Sequence, residues 1–287
     1  MNALTRSLTL CFAMLAVTAC NQDRNESIRQ MNKGLAQYRA QHLLEASNFL
    51  GEAVRLDPEN DKALLYLGMI QYQKFSDLPA AEKSLRRAVE LKPNQSEAHY
   101  HLGAVLFRRG DWKAAAGAFE EAIKIKPDHA ESRLRLGYTL EKMEQYDRAQ
   151  EAYHEAIRAN PRLPEAYNAL GNLYRRFEKY SHAAQVLKNA VENNPSYAAN
   201  YQDLGLVYQE QKRFDDAVAQ LEKARTLDPS NATMLFNLGM TYLAAENPMK
   251  ALDNLRAYVG RRTAQDDPVR VQTAQDIILR LEAARAP

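Results

Sequence analysis

The chain has 287 residues, with 38 lysines and arginines against 36 aspartates and glutamates, a formal charge of +2 at neutral pH. So even a balance gives no support to nucleic acid binding or to a polybasic membrane contact. The only cysteines are Cys11 and Cys20, so no disulfide or thiolate metal site can form beyond Cys20 and stability must come from packing. At the start of the chain, residues 1–19 carry a single charge, Arg6, ahead of the apolar run Leu8 to Val17. That run is too short to span a bilayer as a helix and has the shape of a secretory signal.

The segment ends Val17-Thr18-Ala19-Cys20, which resembles the lipobox of bacterial lipoproteins. The resemblance implies cleavage before Cys20 and acylation of that residue; the alternative is an ordinary secretory signal with an incidental cysteine. Asn21 follows the cysteine where an aspartate would mark inner-membrane retention, so the expected location is the outer membrane, facing the periplasm. Residues 20–26 are expected to be a short linker reaching about 20 Å at most, with Ser27 as N-cap of the first helix.

Beyond Ser27 the sequence repeats. Gly34, Gly68, Gly103, Gly137, Gly171, Gly205 and Gly239 are spaced by 34 or 35 residues. Ala46, Ala81, Ala115, Ala149, Ala183, Ala217 and Ala251 keep the same beat, as do Pro58, Pro93, Pro127, Pro161, Pro195 and Pro229. Three residue types in one register indicate stacked copies of one supersecondary unit. The clearest copy, Leu163 to Asn200, carries Tyr167, Leu170, Gly171 and Tyr174, then Ala183, Leu187 and Ala190, then Pro195. These landmarks resemble the tetratricopeptide repeat, a pair of antiparallel helices A and B.

The resemblance implies an all-α fold: a right-handed α-solenoid of seven helix-turn-helix repeats spanning 27–265 with a capping helix in 266–287. The repeats are placed at 27–60, 61–95, 96–129, 130–163, 164–197, 198–231 and 232–265. The one extra residue of the second repeat falls in the string Lys74 to Pro79, a turn that absorbs it at small entropic cost. Lys33 stands where later repeats have leucine, which suits a terminal unit with one neighbour. After a polar loop, Arg261 to Asp267, the pair Asp267-Pro268 opens a last helix with Val271, Ala274, Ile278 and Leu281 on one face and Ile277 beside them.

In this family, function lies on the surface lined by helix A, at the second, fifth, ninth and twelfth places of each repeat. Those places put Leu65, Met69, Tyr72, Tyr100, Phe107 and Tyr138 in an apolar, aromatic half of a groove, and Asn168, Asn172 and Arg175 in a polar half. A second apolar face already accounts for the core, so the rings have no obvious burial partner within the chain. They serve either as core or as contacts to a protein or peptide ligand. The basic carboxylate clamp of the chaperone co-factors in this family is present only as fragments.

The six histidines include no H-E-x-x-H, and neither a phosphate loop nor a G-x-S-x-G is present. No catalytic residue, metal or cofactor is expected. The expected function is a non-enzymatic scaffold, lipid-anchored through Cys20 to the cell envelope. A lipoprotein made almost wholly of these repeats is similar to the pilot proteins of type IV pilus assembly, which serve the secretin ring. It is also similar to adaptors that gather peptidoglycan hydrolases.

Overall fold

The computed structural model describes residues 3–261 and 267–284, with side chains from Asn21 onward. Among them are fifteen helices and no strand. The chain forms two compact units, residues 1–145 and 146–287. The first holds three helical hairpins, α1 (Ala3–Arg39) with α2 (Leu43–Leu56), α3 (Asp61–Gln73) with α4 (Leu78–Leu91), and α5 (Ser96–Arg109) with α6 (Trp112–Ile125), followed by α7 (Ala130–Lys142). The second opens with α8 (Tyr146–Ala159) and continues through α9 (Pro164–Arg176) with α10 (Tyr180–Asn193) and α11 (Ala198–Glu210) with α12 (Phe214–Leu227). It ends with α13 (Ala232–Ala244), α14 (Pro248–Arg261) and the capping helix α15 (Pro268–Ala283). The fold is the all-α solenoid of seven repeats expected from the periodicity, and the odd-numbered helices α1 to α13 are the A helices.

The repeat glycines mark where A and B helices touch. A Cβ built on Gly34, Gly68, Gly171, Gly205 or Gly239 would lie 2.7 to 2.9 Å from Cγ of Leu50, Leu85, Leu187, Leu221 or Leu255, and on Gly103 it would meet the Phe119 ring at 2.8 Å. Each glycine thus admits one large side chain from the partner helix, and those side chains are fully or almost fully buried. The seven repeat alanines of the B helices are all wholly buried, so the helices approach closely along that stripe.

Both turn types have a local cause. The turn after each A helix contains a residue with positive φ: Gln41, Ser76, Gly110, Glu144, Glu178, Lys212 and Glu246. The next amide then reaches back to a helix carbonyl, as Lys179 N–H does to Tyr174 at 2.9 Å and Arg213 N–H to Tyr208 at 2.8 Å. B helices close with an amide bonded to a buried alanine carbonyl, such as Asn194 to Ala190 at 2.9 Å, and the repeat proline follows, unable to continue the helix. The insertion of the second repeat lengthens its A–B turn to Lys74–Asp77 and leaves the Gly68 crossing intact.

The N-terminal expectation needs correction. Ser27 is no N-cap, because α1 runs unbroken through it. Its hydroxyl is buried, donating to the Ala53 carbonyl at 2.8 Å and accepting from Asn60 Nδ2 at 3.0 Å. Residues 21–26 are therefore helical rather than an extended linker and advance about 9 Å. The expected signal segment 1–19 and Cys20 lie outside the residues whose side chains are described, as does most of the loop before Asp267. At the other end, Asp267 caps α15 by accepting from Val269 N–H at 3.0 Å. Val271, Ala274, Ile277 and Ile278 cover Leu235, Leu255 and Tyr258, and Leu281 packs beside Leu238.

Three substitutions test the glycine crossings and the turns. Gly205→Ala must displace Leu221 and press on the Ala217 carbonyl 3.1 Å away, so it should lower stability by about 1–3 kcal/mol in denaturant unfolding. Gly117→Ala, at an exposed position of α6 with open space where the Cβ would lie, should instead raise stability by about 1 kcal/mol. Glu178→Gly relieves a left-handed conformation that disfavours a Cβ, and a gain of up to about 1 kcal/mol is expected in the same measurement.

Candidate functional site

In the first unit the A helices lie side by side, α1 against α3, α3 against α5 and α5 against α7, and together line one face. Leu65 and Met69 do not offer themselves there. Both are buried in the core with Leu85 and Phe119, because the fifth and ninth places point into the seam between successive A helices. Tyr72, Tyr100, Phe107 and Tyr138 are half-buried. These rings have partners inside the chain, which corrects the expectation that they lack any. The Arg108 guanidinium sits 5.6 Å from the Tyr72 ring centre, and Phe107 meets Trp112 edge-on at 5.0 Å. Tyr100 touches Phe119, His101 and His129 at 6.0, 5.0 and 5.3 Å.

Charged residues are exposed on this face: Lys62, Glu97, Arg108, Glu131, Arg135 and Lys142. Tyr38 and Tyr66, which sequence reasoning passed over, meet edge-on at 5.3 Å between α1 and α3. The sixth place of each repeat, holding Tyr66, His101 and Arg135 in this unit, was the available signal. It lies one residue round the helix from the buried fifth place.

In the second unit, Asn168, Asn172 and Arg175 share one side of α9, with Asn172 exposed and the other two half-buried. The Asn168 Oδ1 atom is enclosed without a hydrogen-bond partner. Across from α9, Asp203 of α11 is largely buried, and its carboxyl is raised to about 6 because loss of solvent outweighs the pull of Arg175. Gln209 accepts weakly from the Thr241 hydroxyl at 3.4 Å. This face is polar.

Between the turns that precede α5 and α7, the first unit has an open cleft of about 630 Å³ lined by Lys92, Gln95, Glu97, Tyr100, His101, Lys126, His129 and Glu131 among others. His129 caps α7, its Nδ1 accepting the Ser132 backbone N–H at 3.1 Å, which leaves the ring proton on Nε2. Burial lowers the affinity of both imidazoles for a proton. His101 falls to about 4, with His129 a secondary cause, and His129 falls as well, chiefly by burial.

The family described as the cilia and flagella-associated protein 70 middle TPR-like domain matches residues 71–217, and the tetratricopeptide repeat family matches residues 203–268. No curated protein matches the sequence. Among solved structures, MamA is 28% identical over 56% of this chain and 94% of its own, with a TM-score of 0.53. YrrB, described as a TPR protein with an unusual peptide-binding site, is 22% identical over 68% of this chain and 99% of its own, at 0.53. Pseudomonas aeruginosa pilF is 16% identical over 79% of this chain and 98% of its own, at 0.61. At these lower identities the likeness is one of fold.

His101 makes the first unit acid-sensitive. The unfolded chain binds its proton near the ordinary value of 6.5 and the fold resists until about 4, so the stability it confers is present above 6.5 and lost as pH falls through that window. The loss should approach roughly 2–3 kcal/mol. Asp203 works in the opposite sense, since its raised carboxyl takes up a proton more readily in the fold. The comparison of parent with His101→Gln isolates the histidine: denaturant unfolding at pH 7.5 and 4.5 should show the smaller acid loss in the variant.

Proposed function

Because the chain belongs to the tetratricopeptide-repeat family, we propose that it is a non-enzymatic scaffold that docks other proteins on its A-helix faces and is held to the bacterial envelope by lipid on Cys20. The observation that carries this reading is the division of labour between helices. The B helices hold the core alanines, whereas the A helices present half-buried rings flanked by exposed charges. A surface of that kind suits protein recognition: rings supply contact area at little entropic cost, and the charges around them orient the partner. A peptide site in YrrB, a protein of similar fold, is in keeping with it.

The finer proposal is a role in assembling the secretin of a type IV pilus at the outer membrane. Its support is the lipobox-like Val17 to Cys20 ahead of an array of these repeats, together with the fold shared with pilF. The tether would act through effective concentration: partners in the same membrane would meet the array far more often than from solution.

Capture of the secretin by the purified protein, beside capture of cell-wall hydrolases, tests the assignment; retention of hydrolases alone would move it to their adaptor. Arg108→Glu with Arg135→Glu should reduce capture at least tenfold with little change in the thermal midpoint, since both side chains are exposed. Phe107→Ala should lower the midpoint instead, because that ring packs on Trp112. Mass spectrometry of the native N-terminus should find Cys20 acylated.

A further inference from the structure

The cleft between the α5 and α7 entry turns is richer in acceptors than its own chain satisfies. Among the described residues, Glu97 and Glu131 have no ion-pair or hydrogen-bond partner, although each stands at the start of an A helix on the cleft wall. Gln95 occupies the N-cap of α5 yet makes no capping bond, and its Oε1 is enclosed without a donor. Of the two lysines that line the cleft, Lys92 lies 3.7 Å from Asp61 Oδ2, which leaves Lys126 as the lining lysine without an ion pair. Tyr100, between the two imidazoles, places an aromatic ring at the floor.

We propose that this cleft seats the guanidinium group of an arginine side chain from a partner protein. The excess of one negative charge calls for a monocation. The two exposed carboxylates offer four acceptor oxygens for several N–H groups at once, which a guanidinium can fill and an ammonium fills less well. Tyr100 offers a ring on which a planar cation stacks. Because burial keeps His101 and His129 neutral at neutral pH, the floor does not repel a cation. The proposal rests on the docking role and narrows it, giving the partner an exposed arginine that acts as its anchor.

The probe is N-acetyl-arginine methylamide, titrated into the purified full chain while the ring carbon–proton signals of His101 and His129 are followed by NMR. N-acetyl-citrulline methylamide, the same shape without the charge, is the control. Saturable shifts of both signals with arginine, none with citrulline, and at least tenfold weaker binding by Glu97→Gln with Glu131→Gln are expected. An equal response to citrulline, no response to arginine, or undiminished binding by the double variant would overturn the proposal. The citrulline arm needs no variant, so it holds even where the substitutions disturb folding. A silent cleft with secretin capture intact would remove this seat alone; a responsive cleft with no protein captured would remove the docking role instead.

Discussion

The crossing of an A helix with its B helix at a glycine, made at Gly34, Gly68, Gly103, Gly171, Gly205 and Gly239, is the constraint from which the rest follows. At 2.7 to 2.9 Å from a buried leucine or phenylalanine atom, a Cβ has no room, so the site admits hydrogen alone. That single requirement sets the distance between the helices, buries the alanine stripe beside it and fixes which way each A helix faces. Loops are free to differ as long as the crossing survives. The second repeat shows this, where the longer Lys74–Asp77 turn leaves Gly68 against Leu85 as in its neighbours.

The same constraint explains what could be read in the sequence. A position where only glycine fits, a stripe where only alanine fits and a turn where proline is tolerated leave a periodic trace, and so the fold class, the repeat number and the capping helix were legible. The A–B turns were not. They need a left-handed residue, yet only Gly110 advertises it; Gln41, Ser76, Glu144, Glu178, Lys212 and Glu246 take that conformation without being glycine, since closure of the hairpin overrides local preference. Ser27 misled for a related reason. It has the chemistry of an N-cap, but here its hydroxyl serves the Ala53 carbonyl across the hairpin.

The binding face was legible only to within one residue around the helix. Counting places from the glycine named Leu65 and Met69, yet a rotation of about 100° separates a side chain sealed in the seam from one that emerges. Tyr66, His101 and Arg135, each adjacent in sequence to a named or buried place, are the ones that reach the surface or the cleft. Rings that pack on Trp112, Phe119 and Arg108 are half core and half surface. No assignment of aromatic residues to one role or the other describes them, because each ring closes the seam with one edge and presents the other.

Charge is distributed in a way that separates architecture from recognition. On the outer side of the B helices, acidic and basic residues three apart pair within their own helix: Glu52 with Arg55, Arg87 with Glu90, Glu121 with Lys124, Glu155 with Arg158, and Glu222 with Arg225. Exposed pairs of this kind contribute little stability, but they leave that surface self-satisfied and indifferent to partners. On the A-helix face of the first unit, Glu97, Glu131 and Arg135 are exposed and take part in none of these pairs. A glutamate in the first turn of a helix is favoured by the macrodipole, which accounts for its tolerance there but leaves its acceptor capacity open. Stability therefore demands nothing of these side chains beyond being polar, and their identity is free to answer to whatever the face binds.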